Sequence, residues 1–207
     1  MSQTLKIPPL THGKAVWILR HTGISGELGD AALNAMVKKL RLHGVPFNVN
    51  ELKGEHHDMV PYGFEHVIEL CVAASLISDG MAFRHAVGLL TRHRKMLRKL
   101  YQEALLEADT GRGAPIEVTG QVGITMETTW VSGLYLDFLA VRQNGVLTSS
   151  GPKLLSPWQA LERNMGSYEG LHPSPLIRLS QLCERAFKLS GAVPEIKRGR
   201  PRPAKGF

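Results

Sequence analysis

The sequence predicts a mainly α-helical protein with small β elements, in the α+β class, and three observations support this prediction. Apolar residues recur every three or four positions through most of residues 1–108, which is the period of amphipathic helices. Residues 114–190 combine short alternating runs and turn signals with two further helical patterns. Basic residues are concentrated toward the two ends, so we expect the ends and the middle to have different roles.

Charge divides the chain more clearly than overall composition does. Residues 1–106 contain 13 basic and 9 acidic residues, residues 107–194 contain 7 and 8, and residues 195–207 contain 5 and 1. An excess of positive charge is typical of regions that bind polyanions. We therefore divide the chain into a helical region at 1–108, a linker at 107–115, a small α+β domain at 114–190 and a basic tail at 195–207.

Several classes of protein are disfavoured by composition. No apolar run approaches the roughly 18 residues of a membrane span, and the first ten residues lack the apolar core of a signal peptide. We therefore expect a cytoplasmic protein without a membrane partner. Cys71 and Cys183 each fall on the apolar stripe of a predicted helix, so both are more simply buried thiols than a disulfide or a zinc site.

Two helices are predicted in the first 44 residues. Residues 13–21 are predicted to form a short helix, followed by a turn at Gly23–Gly26. The second helix has Asp30 as its predicted N-cap and ends at His43–Gly44. Its buried face is predicted to consist of Leu33, Met36, Val37 and Leu40. Helix, glycine-bearing turn and helix is the order of a helix-turn-helix.

The outer face of the second helix is predicted to carry Asn34, Lys38, Lys39 and Arg41. These side-chain types bind guanine, adenine and phosphate oxygens when a helix lies in the major groove of DNA. The alternative is that cations on the outer side of an amphipathic helix only keep the protein soluble. Both interpretations stay open for this helix.

A small hairpin, or wing, is predicted between this helix and the next. Residues 47–52 and 59–60 have the composition of short extended segments, and a polar turn at 54–58 lies between them. The turn contains His56, His57 and Asp58. These three residues form the one cluster in the sequence that could bind a metal. Adjacent histidines point in different directions, so a solvated turn explains them better.

Two helices in series are predicted from Tyr62 to Ala108. The first runs to Asp79–Gly80, and the second restarts at Met81. Five cations lie between the apolar positions of the second helix: Arg92, Arg94, Lys95, Arg98 and Lys99. We predict that this helix contacts DNA phosphates, and the alternative is a solvated face on a core helix.

Together these elements resemble the MerR-like winged-helix family of bacterial DNA-binding proteins, over about half of the chain. The matching features are Arg41–Val45, the short wing, Tyr62 ahead of the next helix, and an apolar run. That run comprises Val67, Leu70, Leu76, Gly80, Met81, Val87, Leu89 and Leu90. The resemblance implies a winged helix-turn-helix whose long helix makes an antiparallel dimer contact. The aromatic pair that usually follows the arginine of MerR recognition helices is absent, so no particular base contacts are implied.

A different pattern begins in residues 114–190. Strands are predicted at 116–124, 134–141 and 146–148. Asn144–Gly145 is a hairpin signal, while Ser156–Pro157 and Ser174–Pro175 each predict the start of a helix. For this domain we rank a protein partner or self-association above a small-molecule ligand, because no polar cluster marks a ligand site.

The basic tail contains Arg-Gly-Arg-Pro at Arg198–Pro201 and resembles an AT-hook. Glycine permits the backbone to lie at the floor of a narrow minor groove, and proline keeps the chain extended. Arginines can then follow the negative potential of A·T tracts. The alternative is a basic, proline-rich tail without a specific ligand. The predicted minor-groove contacts are Lys197, Arg198, Gly199, Arg200, Pro201 and Arg202.

These elements predict a sequence-specific transcriptional regulator that binds double-stranded DNA at the nucleoid as a homodimer. We find no Walker loop, Gly-x-Ser-x-Gly, Cys-x-x-Cys or His-Glu-x-x-His motif, so we expect no enzyme activity, cofactor or metal. The alternative is an architectural, nucleoid-associated protein, or an adaptor that recruits a partner through residues 114–190. RNA binding is a weaker alternative, because only 6% of the residues are aromatic.

Overall fold

The computed structural model describes residues 7–24, 28–48, 50–52, 60–110, 116–122, 125–131, 133–138, 140–143, 146–149, 151–165 and 176–195. Within these ranges the protein is mainly helical with small antiparallel β elements, as the sequence predicts. The helices are α1 (His12–His21), α2 (Asp30–Leu42), α3 (Phe64–Ser78), α4 (Phe83–Thr110), α5 (Pro157–Met165) and α6 (Leu179–Ala192). The strands are β1 (Ile116–Val122), β2 (Thr125–Val131), β3 (Tyr135–Asp137), β4 (Ala140–Gln143), β5 (Val146–Ser149), β6 (Lys153–Leu155) and β7 (Ile177–Arg178). No helix in these ranges combines the length and the apolar composition that crossing a bilayer requires.

Helices α1, α3, α4 and α6 pack around one hydrophobic core. Ten of the 15 residues of α3 are buried, which explains why its sequence is apolar on all sides. α4 packs against both α3 and α6, and its buried stripe includes Leu90 and Tyr101. α2 adds Leu33, Val37 and Leu40 to the same core and packs beside α1.

The start of α2 differs from the prediction. Gly29 occupies the N-cap position that the sequence assigned to Asp30, and Asp30 is the first helical residue. Its carboxylate still lies in the first turn, where the helix dipole favours negative charge, and it forms an ion pair with Arg20 of α1. At the start of α1, the Thr11 hydroxyl accepts a hydrogen bond from the Lys14 backbone and caps the helix.

The connection between α1 and α2 spans eight residues, 22–29. It is longer than the three- or four-residue turn of a typical helix-turn-helix. α2 ends where the sequence predicts, because Gly44 adopts a φ of +82° that glycine tolerates better than other residues. The order helix, turn and helix is therefore present, while its identity as a helix-turn-helix stays a prediction.

The segment after α2 forms a turn where an extended strand was predicted. The backbone NH groups of Glu51 and Leu52 donate to the Asn48 carbonyl. The Asn48 side chain favours this turn, because its oxygen accepts hydrogen bonds from the backbone of Asn50 and Glu51 at 2.8 and 3.0 Å. Residues 53–59, which contain the rest of the predicted wing and its histidine pair, lie outside the described residues.

Helix α6 packs into the core that the earlier helices form. It packs against α1, α3 and α4 and buries Leu182, Cys183 and Ala186. Leu136 and Phe138, in and after β3, join the same core. The change from a helical to a strand-like pattern predicted a domain boundary, but the apolar stripe of α6 is covered mainly by the earlier helices.

The strands form three small antiparallel units. β3 pairs with β6 and β7, β1 pairs with β2, and β4 pairs with β5. The last pairing confirms the predicted hairpin, with Gln143 opposite Val146, although Asn144–Gly145 lie outside the described residues. The predicted strand at 134–141 is divided between β3 and β4.

Ser156 caps α5 as the sequence predicts. Its hydroxyl accepts a hydrogen bond from the Gln159 backbone at 3.3 Å, and Gln159 Oε1 accepts one from the Ser156 backbone at 2.9 Å. The two bonds form a capping box. The second predicted serine cap was wrong, because α6 begins only at Leu179, and Ser174–Pro175 lie outside the described residues.

The apolar stripe of α4 is covered within the chain. Leu90, Leu97 and Tyr101 have no exposed surface, and α3 and α6 pack along this helix. The resemblance to MerR-like proteins implied an antiparallel dimer contact along the same helix. A dimer contact along α4 would therefore have to use another of its faces, and this contact stays a prediction.

The two cysteines are buried free thiols, as predicted. Burial raises the pKa of Cys71 to about 12, so its thiolate is not formed near neutral pH. Burial likewise raises the pKa of Cys183. Both residues therefore act as small apolar side chains in the core.

Gly88 on α4 is expected to be a stabilising position for alanine. It lies on the exposed side of the helix, and a Cβ there would meet nothing within 4 Å. Gly88→Ala should raise the free energy of unfolding by about 0.5–1 kcal/mol, because alanine loses less backbone entropy in a helix. Urea unfolding followed by circular dichroism measures the change.

As a matched control, Gly80→Ala should destabilise by about 1–2 kcal/mol, since Gly80 has a φ of +92°. A stabilising Gly80→Ala would contradict this account.

Candidate nucleic-acid interface

The outer face of α2 carries its predicted cations in the last two turns. Lys38 and Lys39 are exposed. Arg41 is half-buried, and its guanidinium lies over the rings of Phe47 and Tyr62, 5.6 and 5.7 Å from their centroids. Lys38 and Lys39 are therefore the α2 cations that are most accessible to a ligand.

The first turns of α2 offer little for reading bases. Asn34 is half-buried, and its Nδ2 donates to the Asp30 carbonyl one turn earlier, at 2.9 Å. The exposed residues around it are Ala31, Ala32 and Ala35. In a helix-turn-helix, the first residues of the recognition helix contact base edges. The α2 cations are therefore better placed for phosphates than for bases.

A second row of cations lies along α4. We call its members the α4 cations: Arg84, Arg92, Lys95 and Lys99. All four are exposed, and their spacing places them within about a quarter of the helix circumference. Residues 83–102 contain no aspartate or glutamate. None of the four takes part in an ion pair within the described part of the chain.

Sequence reasoning predicted two of the α4 cations as DNA contacts, named Lys99 only as a basic residue of the helix, and missed Arg84. Its signal was present, because Arg84 precedes Arg92 by eight residues and therefore lies near it on the helix surface. Arg92 and Lys95 were predicted to contact DNA, and both are exposed as that prediction requires.

The exposed cations of α2 and the α4 cations lie on neighbouring surfaces. Lys39 Nζ lies 4.4 Å from the centroid of the Phe83 ring at the start of α4, and the His43 ring meets Phe83 edge-on at 5.3 Å. Lys38 of α2 and Thr91 of α4 line a common groove. We call the combined surface the basic surface; it consists of Lys38, Lys39, Arg84, Arg92, Lys95 and Lys99.

Arg94 does not belong to this surface, although the sequence predicted that it contacts DNA. Its side chain is only 11% exposed and pairs with Glu69, which has no exposed surface. Arg94 Nε donates to both Glu69 oxygens at 2.9 and 3.2 Å, and Nη2 donates to Oε1 at 2.7 Å. Nη2 also donates to the Gly44 carbonyl. The prediction for Arg94 is corrected accordingly, because Glu69 and the Gly44 carbonyl hold its Nε and Nη2 and little of its side chain is exposed.

Arg98 is placed in the same way, and its predicted DNA contact is corrected for the same reason. Its Nη1 and Nη2 donate to the two Glu51 oxygens at 2.6 and 3.1 Å. Nη2 also donates to the Pro46 carbonyl at 3.2 Å, while Nε lies 3.6 Å from Glu65 Oε2. We call Glu51, Glu65, His66, Glu69, Arg94 and Arg98 the ion-pair cluster.

The ion-pair cluster fastens the end of α2 to α3 and α4. The carbonyls of Gly44 and Pro46 accept from the two arginines, and Glu51 belongs to the turn that follows. Hydrogen bonds to charged groups are stronger than neutral ones. The cluster therefore positions α2, and with it Lys38 and Lys39, relative to the α4 cations.

Within the ion-pair cluster, the pKa of Glu69 is raised, while the pKa values of Glu51 and His66 are lowered. Burial raises the pKa of Glu69 from 4.5 to about 7, and Arg94 and Arg98 lower it only in part. Burial also acts to raise the pKa of Glu51, but hydrogen bonds from Arg98 and from the Asn48 backbone outweigh it and lower the pKa to about 2. Burial and the charge of Arg98 lower the pKa of His66, whose Nδ1 accepts from the Gly63 backbone at 3.0 Å.

Glu51→Gln is expected to remove one cause of acid unfolding. A carboxyl whose folded pKa is lowered stabilises the fold above its unfolded pKa of 4.5, and this contribution disappears as the pH falls toward 2. The variant should therefore be less stable than wild type at pH 7, and the difference should shrink between pH 4.5 and pH 2. Urea midpoints across that range measure it. Glu103→Gln, an exposed change on α4, is the control; a Glu51→Gln difference that is constant with pH would contradict the assignment.

The remaining predicted contacts, Lys197, Arg198, Gly199, Arg200, Pro201 and Arg202, lie outside the described residues. Among the residues that the structure describes, no group of three or more His, Cys, Asp or Glu side chains is arranged to hold a metal ion. Comparison of the chain with protein-family models, with curated proteins and with solved structures found no match. The function is therefore inferred from the chain's own residues.

Proposed function

We propose that this protein binds double-stranded DNA and acts as a transcriptional regulator. One observation carries the proposal: the basic surface joins two helices, and the part of α4 that contributes to it, residues 83–102, contains no carboxylate. Neutralising phosphates releases condensed counterions, which is the main source of affinity in protein–DNA complexes. The basic tail would add minor-groove contacts beside the folded part.

The dimensions of the α4 row suit a nucleic-acid backbone. Arg84 and Lys99 are 15 residues apart, which corresponds to about 22 Å along a helix. Double-stranded DNA carries one phosphate charge for about every 1.7 Å of its axis, so a row of this length can follow several phosphates. Lys38 and Lys39 on α2 add charge beside the row, where the end of α2 would approach the major groove.

A second candidate is an architectural DNA-binding protein without strong sequence preference. Ala31, Ala32 and Ala35 occupy the exposed start of α2, and the Asn34 amide donates within its own helix. Such a helix has few groups for direct readout of bases. An adaptor that recruits another protein through residues 114–190 also stays a proposal, and so does a homodimer, which would need a surface other than the buried stripe of α4.

Selection from a random duplex pool followed by footprinting separates the two candidates. A regulator should enrich a defined sequence and protect a bounded site, with two-fold symmetry if the protein acts as a dimer. An architectural protein should enrich only A·T-rich or easily bent duplexes and protect no fixed boundary. Absence of binding to any duplex at low ionic strength would reject both candidates.

Removal of residues 195–207 is expected to weaken DNA binding across many sequences. The segment holds five basic residues and one acidic residue, and loss of its phosphate contacts should reduce the slope of log K against log salt by roughly 1–3. Fluorescence anisotropy at several salt concentrations measures the slope.

A charge-preserving control tests the AT-hook itself. Arg198→Lys with Arg200→Lys keeps the charge but changes the flat guanidinium that suits a narrow minor groove. The preference for A·T-rich duplexes should fall while the salt slope changes little. An unchanged preference would indicate a generic basic tail.

A further inference from the structure

We propose that the groove between α2 and α4 binds a small carboxylate ligand with an apolar body. This groove has a volume of about 810 Å³, within the usual range for small-molecule sites. Its lining combines charged and apolar side chains. Phosphate binding by the basic surface would use only the charged ones. The inference concerns a separate ligand and does not depend on DNA binding.

The floor of the groove offers a positioned cation. Arg94 lines the groove, while its Nε and Nη2 are held by Glu69 and by the Gly44 carbonyl. Its Nη1 makes no hydrogen bond to the described residues and is not a buried atom. A guanidinium fixed on one edge by a buried carboxylate keeps its other edge in one orientation, which lowers the entropy cost of binding an anion.

The walls add Lys38, the half-buried Arg41 and an apolar area. Lys38, exposed on α2, lines the same groove and can pair with the second oxygen of a carboxylate. The apolar lining comes from Leu42, Phe47 and Leu52. Leu42 is 86% exposed, so an apolar ligand body would cover surface that water now contacts.

The mixed lining of the groove favours a carboxylate with an apolar body over inorganic phosphate. The Thr91 hydroxyl, also in the lining, already donates to the Val87 carbonyl at 2.8 Å. Arg94 Nη1 and Lys38 Nζ then provide one donor group for each oxygen of a carboxylate. A carboxylate with an apolar body uses these cations and also covers the apolar lining, whereas inorganic phosphate would leave that lining in water.

Occupation of the groove would also affect the basic surface. Lys38 belongs to both, so a bound carboxylate would neutralise one cation beside the α4 row. If the protein binds DNA as proposed, the ligand would weaken that binding. The groove would then be the place where a metabolite carboxylate regulates the protein.

Octanoate is a suitable probe, because it combines one carboxylate with an apolar chain. Titration of the full-length protein, followed by amide chemical shifts in NMR spectra, should give saturable binding at one site around the groove. Octanol, which lacks the charge, and acetate, which lacks the chain, should each bind at least roughly tenfold more weakly. Equal binding of octanol, or binding that does not saturate at one site, would overturn the proposal.

Paired variants test the site without disturbing the buried arginine. Lys38→Met should weaken octanoate binding by roughly fivefold or more, and Leu42→Ser should weaken it by a similar factor. Lys39→Met is the matched control, because Lys39 is on the same helix but stacks over Phe83 instead of lining the groove. Equal effects of the two lysine variants, or displacement of octanoate by equimolar inorganic phosphate, would overturn the assignment.

Discussion

Replacement of Arg94 by methionine is expected to lower the free energy of unfolding by about 3–5 kcal/mol at pH 8, because the change leaves buried Glu69 without its hydrogen-bonding partner and with only Arg98, 3.9 Å away. The loss should be smaller at pH 5. An acid whose folded pKa is raised stabilises the folded state below its unfolded pKa of 4.5, and this contribution is lost as the pH rises through the folded pKa. Without Arg94, the pKa of Glu69 should be raised further than in wild type. Urea unfolding at the two pH values measures both effects.

Two companion variants separate the ion pair from general damage to α4. Combining Arg94→Met with Glu69→Met removes both charges and should recover most of the stability and remove the added pH dependence. Lys95→Met changes the exposed neighbour and should alter stability by less than about 0.5 kcal/mol. A loss that is equal at both pH values, or one that the double variant does not relieve, would show that Arg94 acts in another way.

Conversion of all four α4 cations to glutamine is expected to reduce DNA affinity on the order of 10³-fold near 0.1 M salt. Each lost phosphate contact should also reduce the slope of log K against log salt by about 0.9. The fold should be retained, because these side chains are exposed and make no ion pair in the described part of the chain. Fluorescence anisotropy across a salt series measures affinity and slope together.

A second quadruple variant controls for net charge. Its positions, all exposed on β6, β7 or α6, are Lys153, Arg178, Arg185 and Lys188. Glutamine at these four positions removes the same charge from other parts of the protein and should reduce the slope far less. An equal loss of DNA affinity in the two variants would mean that affinity depends on overall charge. The basic surface would then not be the DNA-binding site.

Periodicity was sufficient to predict the helices that build the core. Apolar spacing predicted one helix from Tyr62 to Asp79–Gly80 and a second from Met81 to about Ala108, each within two residues of the ends of α3 and α4. Gly44 and Gly80 marked two of the turns correctly. These features depend on local physics, since a helix with an apolar stripe has to bury it. The α2 cap was off by one residue, because glycine and aspartate can both occupy that position.

Which basic residues of α4 are exposed and which are paired inside the protein could not be predicted from the sequence of α4 alone. Arg94 and Arg98 differ from Lys95 and Lys99 only in which side of the helix they occupy, and that side is defined by α3. A signal did exist, because two carboxylates four residues apart on one helix can face two arginines four residues apart on the next. Glu65 and Glu69 on α3 fit this pattern, which is also common on solvated helices.

The position of α6 depended on long-range packing. Its own stripe predicted a helix, but nothing local distinguishes a partner in β1–β7 from a partner more than 80 residues earlier in the chain, such as Tyr101. The linker-like composition of residues 107–115 favoured a partner within β1–β7. The structure shows the earlier partner, because the face of α4 that α6 covers is too apolar to stay in water.

The return of α6 to the first helices also sets the order of events during synthesis. The core lacks one wall until residue 192 has been made, so a chain that ends near residue 110 exposes the part of the α4 stripe that α6 covers. Exposed apolar surface of this kind is what chaperones and proteases act on. A fragment of this length would already carry the α4 cations while exposing apolar surface that α6 otherwise covers.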